Sequence, residues 1–121
     1  MTGGPIDAAV FDALVEMTGG ELSFVDELVD TYLDDGTRQV AALQEAVAAD
    51  DVSAFVLPAH SLKSNSLNVG ATELGGLCRD LEEQARTGDV PDAAGRVAAI
   101  AAGFAAAREA LLAQRAARAR S

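Results

Sequence analysis

The chain has 121 residues, half of them hydrophobic, and a formal net charge of −10. This length suits a single domain over residues 1–121 with one core, and the acidic balance argues against nucleic acids and anionic membrane surfaces as partners. The single cysteine, Cys78, excludes an internal disulfide framework and indicates a reducing compartment, which we expect to be the cytoplasm.

The first half of the chain predicts a short helix and a long one after a loose leader at residues 1–5. Asp7 can cap the short helix, which ends at Gly19-Gly20. The apolar side of this helix comprises Val10, Phe11, Leu14 and Met17. The long helix starts at about Glu21. We expect Gly36 to kink or interrupt it, because glycine costs up to about 1 kcal/mol in a helix interior.

The long helix carries an acidic side, formed by Asp26, Glu27, Asp30 and Asp34. No histidine and no glycine-rich ligand loop accompanies these carboxylates in the sequence. We therefore interpret this side as a solvated helix face rather than as a carboxylate site.

Two further helices follow in the middle of the chain. Asp50-Asp51 marks a turn and an N-cap for a central helix, in which Pro58 is expected to introduce a kink. Gly70 is expected to end that helix, and Thr72 is expected to cap the next one. Cys78 falls at helical spacing between Leu77 and Leu81, which predicts a small core residue rather than a redox site.

The last helix is expected to start near Pro91, after a break at residues 87–89, and to run past Leu111. Its end is basic and contains Arg108, Arg115, Arg118 and Arg120. These arginines either contact an acidic partner or complement the helix dipole, and we favour the second interpretation. Residues from about 116 to 121 are then expected to form a loose end.

No strand pattern, internal repeat, domain linker or apolar run as long as a membrane span is visible in the sequence. Four long helices joined by short loops predict an all-α fold, namely an antiparallel up-down four-helix bundle. The short first helix is expected to cover one end of this bundle. Such a bundle gives a reactive side chain a rigid support.

The stretch from Ala59 to Ala71 contains the only histidine and the only lysine of the chain. In a helix, residues three and four apart share a face. One face of this stretch is a mostly apolar stripe suited to a core, formed by Phe55, Ala59, Leu62, Ser66 and Val69. The other face is expected to meet solvent and holds His60, Lys63, Ser64, Leu67 and Ala71.

The exposed face suits a phosphoryl carrier. A neutral imidazole nitrogen is a nucleophile near neutral pH, so His60 can accept a phosphoryl group. Lys63, three residues later, can stabilise the negative charge of that group. Ser64 is small and leaves the ring accessible to a second protein. The alternative is a surface histidine beside a solvated lysine, and the combination of these residues favours the functional interpretation.

At these residues the sequence resembles the histidine-containing phosphotransfer (HPt) domain family of two-component phosphorelays. The family pattern His-x-Leu-Lys-Gly-Ser followed by Gly-Ala corresponds to residues 60–65 and to Gly70-Ala71. Ser64 departs from the pattern, because many members have glycine there. The similarity extends to residues before and after this stretch, namely Gly19, Gly20, Phe24, Leu74, Leu77, Cys78, Leu81 and Glu82.

The resemblance implies that His60 is the phosphoacceptor, that Lys63 stabilises the phosphate, and that response-regulator receiver domains are the partners. The chain would take a phosphoryl group from a receiver's aspartyl phosphate and pass it to another receiver. Ser64, Leu67 and Ala71 are expected to form the docking surface. A hybrid sensor histidine kinase is a further candidate partner, and we expect the chain to be a monomer.

We expect no cofactor or metal in the chain itself and Mg²⁺ on the partner receiver, because no carboxylate cluster surrounds His60 in the sequence. No glycine-rich nucleotide loop is present, so the chain is expected to be a phosphocarrier and not an autonomous kinase. A second interpretation is a non-catalytic bundle that binds and regulates a sensor kinase or receiver. A hydrolytic or metal enzyme lacks the necessary residues, since the chain has one histidine and one cysteine.

Overall fold

The computed structural model describes residues 4–119, which form five α-helices and no strand. The helices are α1 (Ala8–Met17), α2 (Leu22–Ala48), α3 (Val56–Val69), α4 (Thr72–Thr87) and α5 (Ala93–Ala119), and one 3-10 turn (Val52–Phe55) precedes α3. The predicted all-α class is therefore confirmed.

Helices α2 to α5 form a ring in which each helix packs against two neighbours. Helix α2 contacts α3 and α5, and α4 contacts the same two helices. The connections between consecutive helices are short, so consecutive helices run in opposite directions. The antiparallel up-down bundle that the sequence predicts is the observed architecture.

Helix α1 lies against α3 at the end of the bundle where α3 finishes. Asp7 caps α1, as predicted, by accepting hydrogen bonds from the backbone N–H groups of Ala9 and Val10. The backbone N–H of Asp7 donates to the carbonyl of Gly70 at 2.7 Å. Gly70 has a φ of 92°, and a Cβ atom there would lie 2.7 Å from the Asp7 carbonyl oxygen, so glycine permits this close approach.

One hydrophobic core fills the ring of helices. Inside it the Tyr32 hydroxyl and the Ser66 hydroxyl form a buried hydrogen bond of 2.8 Å between α2 and α3. Burial raises the pKa of Tyr32 to about 12, which keeps this hydroxyl protonated. Cys78 is fully buried, and burial raises the pKa of its thiol to about 12. The prediction of a core cysteine is confirmed.

Gly36 does not interrupt α2, which is continuous over Leu22–Ala48, so the predicted interruption is wrong. The residue is buried, and a Cβ atom there would lie 2.2 Å from Cε1 of Phe104 on α5. The ring of Phe104 also packs against Tyr32, with 5.8 Å between the ring centroids. Gly36 therefore lets the Phe104 ring approach the backbone of α2.

Two of the predicted helix starts differ from the structure. Pro58 is the third residue of α3, in the first turn, where a backbone N–H has no partner within the helix. It therefore stands at the start of the helix that carries His60 and does not kink its middle. Thr72 begins α4 but makes no capping hydrogen bond. Helix α5 begins at Ala93, two residues after Pro91, and Asp92 accepts a hydrogen bond from the N–H of Gly95 at 3.3 Å.

The end of α5 packs on the bundle through ion pairs. Helix α5 continues through Ala119. Residues 116–119 are therefore helical, in contrast to the loose end expected from about residue 116. Residues 120–121, including Arg120, lie outside the described residues. Arg115 contacts Asp30 at 2.7 Å and Asp26 at 3.7 Å on α2. Arg118 pairs with Asp12 on α1, and its guanidinium carbon lies 5.2 Å from the centroid of the Phe11 ring.

Helix α5 alone among the described helices has the length and the composition of a candidate membrane span, with a mean hydropathy of 1.3 over 18 residues. No apolar segment of this length was expected from the sequence. Its large apolar side chains are buried on one face, and these are Val97, Ile100, Phe104 and Leu111. A core helix of a bundle passes the same test, so this finding does not indicate a membrane location.

Candidate functional site

Helix α3 separates a buried face from an exposed one, as its sequence predicts. The buried face comprises Ala59, Leu62, Ser66 and Val69, and Phe55, in the 3-10 turn before α3, is buried as well. The side chain of His60 is 50% exposed on the other side of the helix. The imidazole is therefore open to solvent while the backbone that carries it is fixed by the core.

The imidazole of His60 contacts a buried carboxylate on the neighbouring helix. Nδ1 of His60 lies 3.0 Å from Oε2 of Glu82 on α4. The side chain of Glu82 is only 7% exposed, although that of His60 is half exposed. Helices α3 and α4 run antiparallel side by side, which brings these two residues, 22 positions apart in sequence, into contact.

Two cationic groups, Lys63 and Arg86, bind the same carboxylate. Nζ of Lys63 lies 2.8 Å from Oε1 of Glu82. Nη2 and Nε of Arg86 donate to Oε2 at 2.7 Å and 3.1 Å. One oxygen of Glu82 therefore faces Lys63, and the other is shared by His60 and Arg86.

These contacts determine the ionisation of Glu82. Burial alone would favour the neutral carboxyl group, but hydrogen bonds from Lys63, Arg86 and His60, together with the charge of Lys63, outweigh it and lower the pKa of Glu82 to about 2. The group is a carboxylate at neutral pH, and a carboxylate only accepts hydrogen bonds.

The carboxylate in turn assigns the tautomer of His60. Since Glu82 only accepts, Nδ1 of a neutral His60 must carry the proton and donate it. Nε2 is then left with a lone pair. A half-exposed ring with its proton held on Nδ1 is a nucleophile at Nε2.

The three residues predicted to form a docking surface do not all lie there. Ser64 is half-buried and Leu67 is 44% exposed, and both lie on the side of α3 that carries His60. The side chain of Leu67 also packs over α4, because a Cβ atom at Gly75 would lie 2.6 Å from its Cδ2. Ala71 is fully buried, so its assignment to the docking surface is wrong. The helical periodicity stops at Gly70, whose left-handed conformation turns the chain inward.

An open groove adjoins this side of α3. It has a volume of about 1010 Å³ and lies between α1, α2 and α3. The large apolar side chains that line it and are exposed are Met17, Phe24 and Leu67. Ser61 and Asn65, on α3, line the end nearer to His60, and Asn65 donates to Asp35 on α2 at 2.9 Å. The groove is therefore continuous with the surface around the imidazole.

Within residues 4–119, no three histidine, cysteine, aspartate or glutamate side chains are grouped as a metal site would require. The carboxylate nearest to His60 is Glu82, and its oxygens already face nitrogen donors of three side chains. The site consists of a nucleophilic imidazole, a carboxylate and two cations.

From the sequence, Glu82 was predicted only as part of the family pattern, and no role was predicted for Arg86. Glu82 and Arg86 are four residues apart on one helix, which is the spacing of an ion pair. That spacing is a usable signal, yet the contact of Glu82 with His60 depends on how α3 and α4 pack. Sequence periodicity within either helix does not reveal that packing.

Comparisons with known proteins find similar sequences and a similar fold. The family model described as the Hpt domain matches residues 27–114. Multistep phosphorelay regulator 1 of Schizosaccharomyces pombe is 32% identical over 78 residues, which are 64% of this chain and 26% of that protein. The chain therefore spans about a quarter of the length of this curated relative. The crystal structure of histidine-containing phosphotransfer protein B (HptB) from Pseudomonas aeruginosa PAO1 superposes with a TM-score of 0.83 and 32% identity, over 92% of this chain and 94% of that one.

Proposed function

This chain belongs to the Hpt domain family, and we propose that His60 is the residue on which it carries a phosphoryl group between receiver domains. Domains of this family are histidine phosphotransfer intermediates, and this chain is one of them. The observation that supports His60 is its contact with Glu82, which holds the proton on Nδ1 and leaves Nε2 as the exposed nucleophile.

The transfer step follows from this geometry. Nε2 of His60 attacks the phosphorus of a receiver's aspartyl phosphate, the bond from nitrogen to phosphorus forms, and the bond from phosphorus to the aspartyl oxygen breaks. The receiver's carboxylate leaves with the electron pair. The ring keeps its proton on Nδ1 and gains positive charge, which the adjacent Glu82 carboxylate stabilises. Transfer to the next receiver is the same step in reverse.

Lys63 supplies the cation for the phosphoryl group. Its side chain is 23% exposed and reaches the carboxylate that also contacts His60. An ammonium group in that position can turn toward a phosphoryl group on Nε2 and offset its negative charge. We assign Mg²⁺ to the receiver, because Glu82 is already occupied by cationic donors.

The docking surface we propose combines the side of α3 around His60 with the adjoining groove. Ser64 and Leu67 follow His60 by about one and two helical turns on the same side of α3, and Leu57, which is 77% exposed, precedes His60 by three residues. The apolar groove residues Met17 and Phe24 extend this surface toward α1. Receiver domains are the partners in this proposal, and a hybrid sensor kinase can supply such a receiver domain. In the same proposal the chain acts as a cytoplasmic monomer.

The test is transfer from a phosphorylated receiver to the purified chain. The chain should acquire a phosphate that is labile in acid and stable in base, and His60→Gln should acquire none while keeping its helical circular dichroism spectrum. His60 is the only histidine, so no other imidazole can replace it. Receiver binding without any transfer to the wild-type chain would instead support a non-catalytic regulator, and labelling of folded His60→Gln would exclude His60 as the site.

A further inference from the structure

The carboxylate of Glu82 holds more cationic groups than one negative charge requires. Lys63 faces Oε1 at 2.8 Å, while Arg86 makes two contacts to Oε2, at 2.7 Å and 3.1 Å. His60 donates to the same Oε2 at 3.0 Å. Lys63 and Arg86 therefore bind different oxygens of Glu82, so that both can bind at the same time and either can remain bound alone.

This arrangement matters because Lys63 can pair with two anions, the Glu82 carboxylate and a phosphoryl group on His60. Before transfer it is paired with Glu82. After transfer the phosphoryl group on His60 brings more negative charge close to the same cation. If Lys63 turned to the phosphoryl group and nothing else neutralised Glu82, a buried carboxylate would be left beside a second anion, which is costly.

Arg86 has the properties needed to keep Glu82 compensated. Its guanidinium stays charged at any physiological pH and offers several donors in a fixed fork. It lies four residues after Glu82 on α4, so the helix itself holds the pair together. Its side chain is 58% exposed, so it can rotate onto the carboxylate without disturbing the core.

We propose that Arg86 is a positioning residue that holds the Glu82 carboxylate when Lys63 turns to the phosphoryl group, and so makes Lys63 available for transfer. This inference rests on the proposed function of His60. Arg86 acts on Glu82 in this scheme and does not contact the phosphoryl group. Its effect on transfer therefore passes through Lys63.

The charged groups around the imidazole come from two helices. Helix α3 contributes Lys63, and α4 contributes Glu82 and Arg86. Arg79, also on α4, is 61% exposed, pairs with Asp80 at 3.6 Å and makes no contact with Glu82 among the described interactions. Arg79 is therefore the matched control for the loss of one exposed arginine from the same helix.

The experiment measures the rate of phosphoryl acceptance from one purified phosphorylated receiver as the receiver concentration is varied. Arg86→Gln should lower the maximal rate about threefold or more, the effect expected for one partly exposed ion pair, and should leave the half-saturating receiver concentration unchanged. Arg86→Lys should restore most of the rate because it keeps a cation, and Arg79→Gln should match the wild type. The double variant Lys63→Ala/Arg86→Gln should be no slower than Lys63→Ala alone.

Three results would overturn this inference while leaving His60 as the phosphoacceptor. The first is a wild-type maximal rate in Arg86→Gln. The second is a double variant slower than Lys63→Ala by the full Arg86→Gln factor, since Arg86 would then act on the phosphoryl group by itself. A change confined to the half-saturating concentration would assign Arg86 to docking and overturn it as well. Failure of the wild-type chain to accept phosphate at all would overturn the proposed function and this inference together.

Discussion

Glu82 sets the chemical state of the histidine that it contacts. Its carboxylate is buried, yet donors on three side chains keep it ionised, and the pKa of the group falls to about 2. A neutral carboxyl group in its place could donate a proton to Nδ1 of His60 and so leave the ring proton on Nε2. The cations around Glu82 thus direct the lone pair of the imidazole toward solvent.

At the residue scale, Lys63→Ala should slow transfer to and from a receiver by about tenfold, the loss expected for one hydrogen bond to a charged group. The lifetime of the phosphohistidine should shorten for the same reason. Rapid-quench measurements with radiolabelled phosphate report both quantities. Arg79→Ala removes an exposed cation from α4 and should leave both unchanged. Wild-type transfer and lifetime in Lys63→Ala would make Lys63 an ordinary surface charge.

A second residue-scale prediction concerns acid stability. The pKa of Glu82 is lowered from 4.5 to about 2 on folding, so its stabilising contribution is complete above about pH 4.5 and is lost as the pH falls toward 2. Glu82→Gln should be less stable than the wild type at pH 6. The difference between the two should shrink from pH 4.5 to pH 2. Urea denaturation at several pH values measures it, and a difference that stays constant over this range would contradict the assignment.

At the scale of elements, the site depends on the pairing of α3 with α4. The antiparallel packing places His60 and Lys63 opposite Glu82, and it places Leu67 over Gly75. A Cβ atom at Gly75 would lie 2.6 Å from the side chain of Leu67, so glycine there keeps the two helices close. The close approach is what allows Lys63 and His60 to share one carboxylate.

Gly36→Ala tests the same principle in the core. The new Cβ would lie 2.2 Å from Cε1 of Phe104, whose ring is buried against Tyr32. Overpacking of this kind costs about 1–3 kcal/mol, which exceeds the gain in helix propensity of about 1 kcal/mol. We expect the free energy of unfolding to fall by up to about 2 kcal/mol, the difference between the two, in urea denaturation.

The control for Gly36→Ala is Gly76→Ala on α4. No atom lies within 4 Å of a Cβ atom built at Gly76, and its φ is not positive. This variant gains helix propensity without a clash, so it should be stabilised by up to about 1 kcal/mol. Equal stabilisation of the two variants would show that the Phe104 ring moves aside at no cost.

At the scale of the whole molecule, the acidic and basic parts of the chain meet each other. Arg115 pairs with Asp26 and Asp30 on α2, and Arg118 pairs with Asp12 on α1. The basic end of α5 thus holds α1 and α2 at one end of the bundle, where the groove begins. The groove depends on α1, which lies before the residues that the family model matches.

Met17→Asp should weaken receiver binding about tenfold, because a side chain that is 83% exposed in the groove would no longer bury apolar surface against the receiver. Leu77→Asp is the control, since Leu77 is exposed on α4 and does not line the groove. Binding is measured by titration calorimetry with one receiver, and circular dichroism checks the fold. Equal binding by the two folded variants would place the docking surface away from α1.

The sequence by itself determined the helices and the candidate nucleophile, His60. Apolar spacing, glycines and alanine content are local signals, so they predicted a four-helix bundle, the buried face of α3 and an exposed His60. The glycine signal was also partly wrong: the low helix propensity of Gly36 suggested an interruption, whereas α2 is continuous and Gly36 packs against Phe104, 68 residues away. Periodicity likewise placed Ala71 beside His60, although the helix ends at Gly70.

Only the tertiary structure decided how the nucleophile is surrounded. Glu82, Arg86 and the α1 wall of the groove come from elements remote in sequence, and the ion pairs of Arg115 and Arg118 join α5 to α1 and α2. Spacing along a helix predicts which residues share a face, but it does not predict which face of a neighbouring helix packs against that face. That choice is made by the packing of the whole core, and it determines that His60 meets a carboxylate and not solvent at Nδ1.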